Sequence, residues 1–195
     1  MAVMAISLTA CSRSTPSSAA PASAAASAAS ASNNANTAGP KPLASIQELM
    51  QSIVDPTADA LWDSVSTTVT AQGEEDKRPR TPEEWRQLRH LAITLSEAGN
   101  LLAIRGRNVA HAGQQLEDHH VDATLKADDI QRRIDADPQA FAAFALALQV
   151  AAGESLAAID KQDVEALIRA GSQLDQACEA CHQRYWYPGD RVPTQ

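Results

Sequence analysis

Leu167, Gly171, Leu174, Cys178 and Cys181 follow one another at steps of four, three, four and three residues. That spacing keeps all five on one face of a helix and makes a seam that must be buried against other helices. The last two belong to Cys178-Glu179-Ala180-Cys181-His182, a C-x-x-C-H run. Such a run is the attachment sequence of c-type haem: each thiol adds to a porphyrin vinyl group, and the adjacent imidazole reaches the iron. In a helix Cys178, Cys181 and His182 stand at i, i+3 and i+4, so they share the face that the apolar seam defines. A C-x-x-C pair alone would also suit zinc or thioredoxin-like redox chemistry. Zinc would need further Cys or His ligands at defined spacing, and a thioredoxin-like site would need a βαβ setting. The sequence offers neither.

The segments ahead of the seam read as its packing partners. Ser45-Ile46-Gln47-Glu48 has the form of a capping box, and Ile46, Leu49, Met50, Ile53 and Val54 follow at helical spacing, so a first helix is expected from about residue 46. Asp55-Pro56 predicts a kink or brief break, because proline lacks an N–H and disfavours the α conformation in the residue before it. Leu61, Trp62 and Val65 share a face beyond it. Residues 72–80, QGEEDKRPR, mix both signs of charge and read as a solvated loop. Thr81, Pro82, Glu83 and Glu84 supply an N-cap, a first-position proline and two first-turn acids. The stripe behind them is Trp85, Leu88, Leu91, Ala92, Leu95, Ala98 and Leu102, with Gly106 as the expected stop.

After a weakly patterned stretch with a short helix expected at about 122–135, Asp137-Pro138 opens a third long helix carrying Phe141, Ala145, Leu148, Ala152 and Ile159. Only Lys161 and Gln162 separate it from Asp163, which caps the seam helix, so these two form an antiparallel hairpin. The seam helix is expected to stop around Tyr187-Pro188-Gly189. Four long amphipathic helices joined largely by short links predict an all-α antiparallel four-helix bundle with the haem-attachment helix at its C-terminal end. Composition agrees: 44% of residues are apolar but only 4% aromatic, a balance that favours helix over sheet.

The formal net charge of −8 argues against a nucleic-acid partner, since no face would neutralise phosphates. It suits a redox partner with a basic docking patch. Of the three cysteines, Cys11 ends Leu8-Thr9-Ala10-Cys11, which resembles the lipobox of bacterial lipoproteins, where the cysteine becomes the lipidated first residue. The segment ahead of it is short and lacks a positive n-region, so the translation start is expected upstream of Met1. Residues 12–42 are almost entirely Ser, Ala, Pro, Asn, Thr and Gly, too poor in apolar side chains to offset ordering entropy. As a random coil of about 31 residues this tether spans roughly 30 Å. It would hold a folded domain of residues 43–195 near a membrane to which Cys11 is anchored. No run of 18 or more apolar residues appears.

A C-terminal C-x-x-C-H on the last helix of such a bundle resembles the class II c-type cytochromes, the cytochrome c′ family with its low-spin c556-like relatives. The resemblance spans about residues 43–187 and rests on Cys178–His182 and their placement. It implies one covalent haem c, His182 as fifth iron ligand, a periplasmic location and often a homodimer. Family members commonly carry an aromatic residue three positions after the His and an Arg four after. Tyr185 fits, but Trp186 stands where Arg is expected, with Arg184 two residues earlier.

The family further implies that a residue of the first helix faces the sixth side of the iron. A Met there gives a low-spin electron carrier, and a bulky apolar residue leaves five-coordinate iron open to small gases such as NO or CO. Met50 is the candidate: it is the only Met outside the first four residues and lies on the buried face, one turn from Ile46 and one from Ile53. Core filling is its other use, and Leu49 or Ile53 would take the place in a shifted register. His90, His111, His119 and His120 are rival ligands. Arg105 and Arg107 could pair with haem propionates or simply complement a helix dipole. Trp62, Trp85 and Trp186 suit core or haem-edge packing, and Ala145, Ala152, Gly99 and Gly171 could make room for a porphyrin. No nucleophile and base at recognisable spacing and no phosphate-binding loop suggest an enzyme. The expectation is an exported one-electron carrier, with a gas-binding haem protein as the alternative.

Overall fold

The computed structural model describes Gly39 and residues 41–189. The Cys11 lipobox and most of the expected tether lie outside the described residues. What is described is mostly helical, with one small two-stranded sheet.

The first rod begins with α1, Ile46–Leu49, and its capping box forms as the sequence demands: Ser45 Oγ accepts from the Glu48 N–H at 3.1 Å, and Glu48 Oε2 accepts from the Ser45 N–H at 2.8 Å. The expected break at Asp55-Pro56 takes another form. Met50–Val54 is a π-helical stretch that runs without interruption into α2, Asp55–Trp62. The Asp55 N–H donates to the Met50 carbonyl, five residues back. A proline ring in α geometry collides with the carbonyl four residues earlier, here that of Ser52, and the wider turn gives it space.

Residues 72–80 are not wholly loop. β1, Ser66–Thr70, pairs antiparallel with β2, Gly73–Lys77, in the register Ser66↔Lys77 to Thr70↔Gly73. Thr67 Oγ1 donates to Asp76 Oδ1 at 2.9 Å, and Gly73, at φ +131°, makes the reversal. Both strands are almost entirely exposed, so no apolar alternation announced them.

Helix α3, Pro82–Ala103, starts at the expected Thr81 capping box and buries the expected stripe, with Leu91 half-buried. It ends at Ile104, which is extended, and Gly106 follows at φ +78°. The next segment is stapled to the first rod: the Ile46 N–H donates to the Asn108 carbonyl at 2.8 Å and the Gln47 N–H to that of Val109 at 3.0 Å. The short helix α4, Ala127–Ala136, starts later than expected because Leu125 is held by the residue that follows the last helix, its N–H donating to the Trp186 carbonyl at 2.8 Å.

Helices α5, Pro138–Asp160, and α6, Val164–Tyr185, are capped by Asp137 and Asp163, whose carboxylates accept from the Ala140 and Ala166 N–H groups at 2.9 Å each. Gln162, at φ +53°, completes the tight link that folds α6 back on α5. Helix α5 alone among the described residues is long and apolar enough to cross a membrane by composition, with mean hydropathy 1.6 over its best window. It packs against both α3 and α6, while Leu146 and Val150 stay exposed on its outer side. The approach to α3 is close enough that a Cβ on Gly99 would stand 2.7 Å from the Ala145 carbonyl oxygen. Leu95, Ala98, Ala152 and Leu174 are fully enclosed in the shared core, where truncating a leucine to alanine costs about 2–5 kcal/mol.

Candidate functional site

The seam of α6 meets the first rod across a cleft of about 440 Å³. Cys178, Cys181 and His182 line it from α6; Met50 and Val54 from the π turn; Asp55, Ala58, Asp59 and Trp62 from α2; and Phe141, Phe144 and Leu148 from α5. Four residues singled out in the sequence, Met50 and the Cys178–Cys181–His182 set, are therefore brought together. The size falls within the range of ligand pockets, roughly 300–1,000 Å³. Its walls are aliphatic and aromatic, with carboxylates at intervals.

Burial sets the chemistry of the donors. The Cys178 thiol is pushed up to about 11 and the Cys181 thiol to about 12, in both cases chiefly by loss of water. Both therefore stay protonated near neutrality, unlike the activated thiolate of a disulfide exchanger. His182 is held below the ordinary imidazole range by desolvation, against the opposing pull of the Asp55 and Glu179 carboxylates. Asp55 in turn is raised by desolvation, the nearby His182 acting the other way. A neutral imidazole is the form that can ligate a metal.

The helix end that follows His182 is built onto it. The Trp186 N–H donates to the His182 carbonyl at 2.7 Å, and the Tyr187 N–H donates to the same oxygen at 3.1 Å. The Trp186 indole lies 5.7 Å from the imidazole, centroid to centroid, and also lines the cleft. Tyr187 Oη donates to Glu179 Oε2 at 2.6 Å, tying the chain end across the attachment turn. Tyr185 turns inward instead, buried edge-on against Phe141 and Phe144 at 5.4 and 5.8 Å.

Other sequence candidates fall elsewhere. None of the four rival histidines lines the cleft. His90 is exposed on α3, His111 Nε2 is 2.8 Å from Glu48 Oε2, and His119 Nδ1 is 2.8 Å from the Leu116 carbonyl oxygen. Neither Arg105 nor Arg107 lines the cleft, and Arg107 is buried in a structural role, its guanidinium donating to the carbonyls of Ala44 and Leu101. Trp85 belongs to the core. Ala145 lines the cleft, but Gly99 and Gly171 do not: Gly99 admits α5, and Gly171 admits the Trp62 ring, whose Cδ1 would be 3.2 Å from an added Cβ.

The sequence reading missed Asp55, Asp59, Phe144 and Asp175 as cleft residues. The i, i+4, i+7 row Asp55–Asp59–Trp62 was the signal available. Among the described residues no group of three or more His, Cys, Asp or Glu is placed to hold a bare metal ion. The donor set is two thiols and one imidazole on one helical face beside an apolar hollow, which suits a macrocycle that brings its own metal. No family model, no curated protein and no solved structure matches the chain.

Proposed function

We propose that the chain is a monohaem c-type cytochrome acting as a one-electron carrier. Its fold is then an antiparallel four-helix bundle made of the rod Ile46–Trp62 with α3, α5 and α6, as in the class II c-type cytochromes that the sequence resembles. The observation that carries this reading is that Met50, from the first rod, lines the same cleft as Cys178, Cys181 and His182.

The residues present fit haem c. Cys178 and Cys181 would hold it through thioethers, His182 would be the fifth iron ligand and Met50 the sixth, while Phe141, Phe144, Leu148 and Trp186 would exclude water from its faces. Bound haem supplies a reversible ferrous–ferric change whose potential depends on axial ligands and burial. The protein's part is to keep His182 neutral, to fix the helix end through Trp186 and Tyr187, and to offer a thioether that favours the ferrous state. Leu8-Thr9-Ala10-Cys11 supports export to the periplasm and a lipid at Cys11, with the domain carried on a tether.

One observation favours a second reading, in which the sixth position stays open to a small neutral gas: the aliphatic side chains Ile46, Val54 and Leu102 line the same cleft as Met50. Visible spectra of the haem-loaded protein and its Met50→Ala variant separate the two. Methionine ligation gives the weak ferric charge-transfer band at the red end and little CO binding, and the variant loses the band and gains CO. A high-spin parent that binds CO readily would establish the second reading, and a low-spin spectrum unchanged by the substitution would remove Met50 as ligand.

A further inference from the structure

Beside the cleft lies a second hollow of about 440 Å³ between α2 and α6, open to solvent, with Leu61, Trp62, Val65, Leu167, Ile168 and Gly171 among its lining residues. Ile168 is 45% exposed there, a large aliphatic side chain presented to water. Trp62 lines both hollows and so forms part of the wall between them. Its ring is fixed, because Nε1 donates to the Gly171 carbonyl at 3.0 Å and the missing Cβ of Gly171 lets the indole seat against α6.

One carboxylate, Asp175, lines the groove, and Asp55, Asp59 and Glu179 line the adjoining cleft. On α6, Glu165, Ile168, Ser172, Asp175 and Glu179 form one row at steps of three and four, and on α2 Asp55, Asp59 and Trp62 form another. These two rows carry five carboxylates and no Lys or Arg. Arg169, the nearest cation in sequence, stands about 100° round α6 from Ile168. The formal charge of −8 adds a field of the same sign.

We propose that this groove is where the redox partner docks, and that the partner is a protein presenting an apolar protrusion ringed by lysine or arginine. The proposal rests on the haem reading above. Apolar contact on Ile168 and Val65 would supply the dehydrated centre, the carboxylate rows would steer the approach, and Trp62 would form part of the wall between the docked partner and the cleft. Bound haem would exchange one electron per encounter with the partner's redox centre, one being oxidised as the other is reduced. No proton or group moves.

The test uses the full haem-loaded chain and a lysine-rich mitochondrial cytochrome c as probe, with electron exchange followed by stopped flow in whichever direction is downhill. Ile168→Lys and Ser172→Lys change groove positions outside the cleft, while Val150→Lys, on the outward face of α5, adds the same charge elsewhere. The expected result is a rate constant at least tenfold lower for the first two, within about twofold for the third, unchanged spectra throughout, and a rate that falls with salt. Parental rates for Ile168→Lys, or an equal loss with Val150→Lys, would overturn the docking site. An Ile168→Lys change that alters the elution volume of the protein alone would overturn it too, by assigning the groove to a second copy. A parent chain that carries no covalent haem fails the underlying reading instead.

Discussion

The Asp55 N–H donates to the carbonyl of Met50, and the side chains of both residues line the cleft that contains His182. The extra residue of this π turn sets the phase between Met50 and α2. Deleting Ser52, which is exposed, in a Pro56→Ala background that removes the ring the wider turn accommodates, restores an α-helical count and turns Met50 by about 100° relative to Ala58 and Trp62. The deletion variant is expected to attach haem but to lose the ferric methionine band and bind CO. A spectrum identical to that of the parent would show that the turn does not position the ligand.

Gly99 and Gly153 make a matched pair. A Cβ at 99 meets the Ala145 carbonyl oxygen at 2.7 Å and the Gln149 Cβ at 2.9 Å, whereas one at 153 meets nothing within 4 Å. Gly99→Ala forces α3 and α5 apart, costing about 1–3 kcal/mol and exceeding its helix-propensity gain. Gly153→Ala should stabilise by about 0.5–1 kcal/mol. Urea unfolding midpoints moving in opposite directions check both, and equal shifts would deny the close contact.

Arg107 is tied to the carbonyls of Ala44 and Leu101, away from the cleft. Arg107→Ala removes the guanidinium bonds to the Ala44 and Leu101 carbonyls, the latter keeping the Ile104 N–H as donor, and should lower stability by about 1–3 kcal/mol without moving the redox potential. A shift in potential at unchanged stability would support a propionate role instead.

Two carboxylates tie stability to acid. Glu48 is held below the usual carboxylate range first by the Ser45 N–H and then by His111, and Glu84 by the Arg80 and Thr81 N–H groups. A depressed folded-state value stabilises the fold above the unfolded carboxylate range, near pH 4.3, and that contribution is lost as pH falls through the folded value. The double variant Glu48→Gln, Glu84→Gln should therefore show a shallower fall in melting temperature below about pH 4.5 than the parent. Parallel curves would show that neither cap is linked to protonation.

Much of the helical framework was legible because caps are local. Ser45, Thr81, Asp137 and Asp163 each sit where a short polar side chain precedes an apolar period, and each accepts the N–H three residues on. The hairpin was not legible, since Ser66–Lys77 is threonine and charge with no buried alternation to reveal a period of two. The π turn was half legible: Pro56 announced a disturbance but not whether the chain would bend or widen. In the site, i, i+3, i+4 spacing placed Cys178, Cys181 and His182 on one face, and the apolar stripe placed Met50 inward. The Trp62–Gly171 bond joins residues 109 apart in sequence, and Arg107 is held by carbonyls that carry no side-chain signature, so no local pattern could report either.

The central claim is covalent haem at Cys178 and Cys181, and intact-mass spectrometry of the full chain, co-expressed with a c-type haem maturation system, tests it most directly. The mass should rise by one haem, survive acid extraction, and fall on a tryptic peptide containing Cys178–His182. An apoprotein mass, or haem that extracts into acidified solvent, would contradict it.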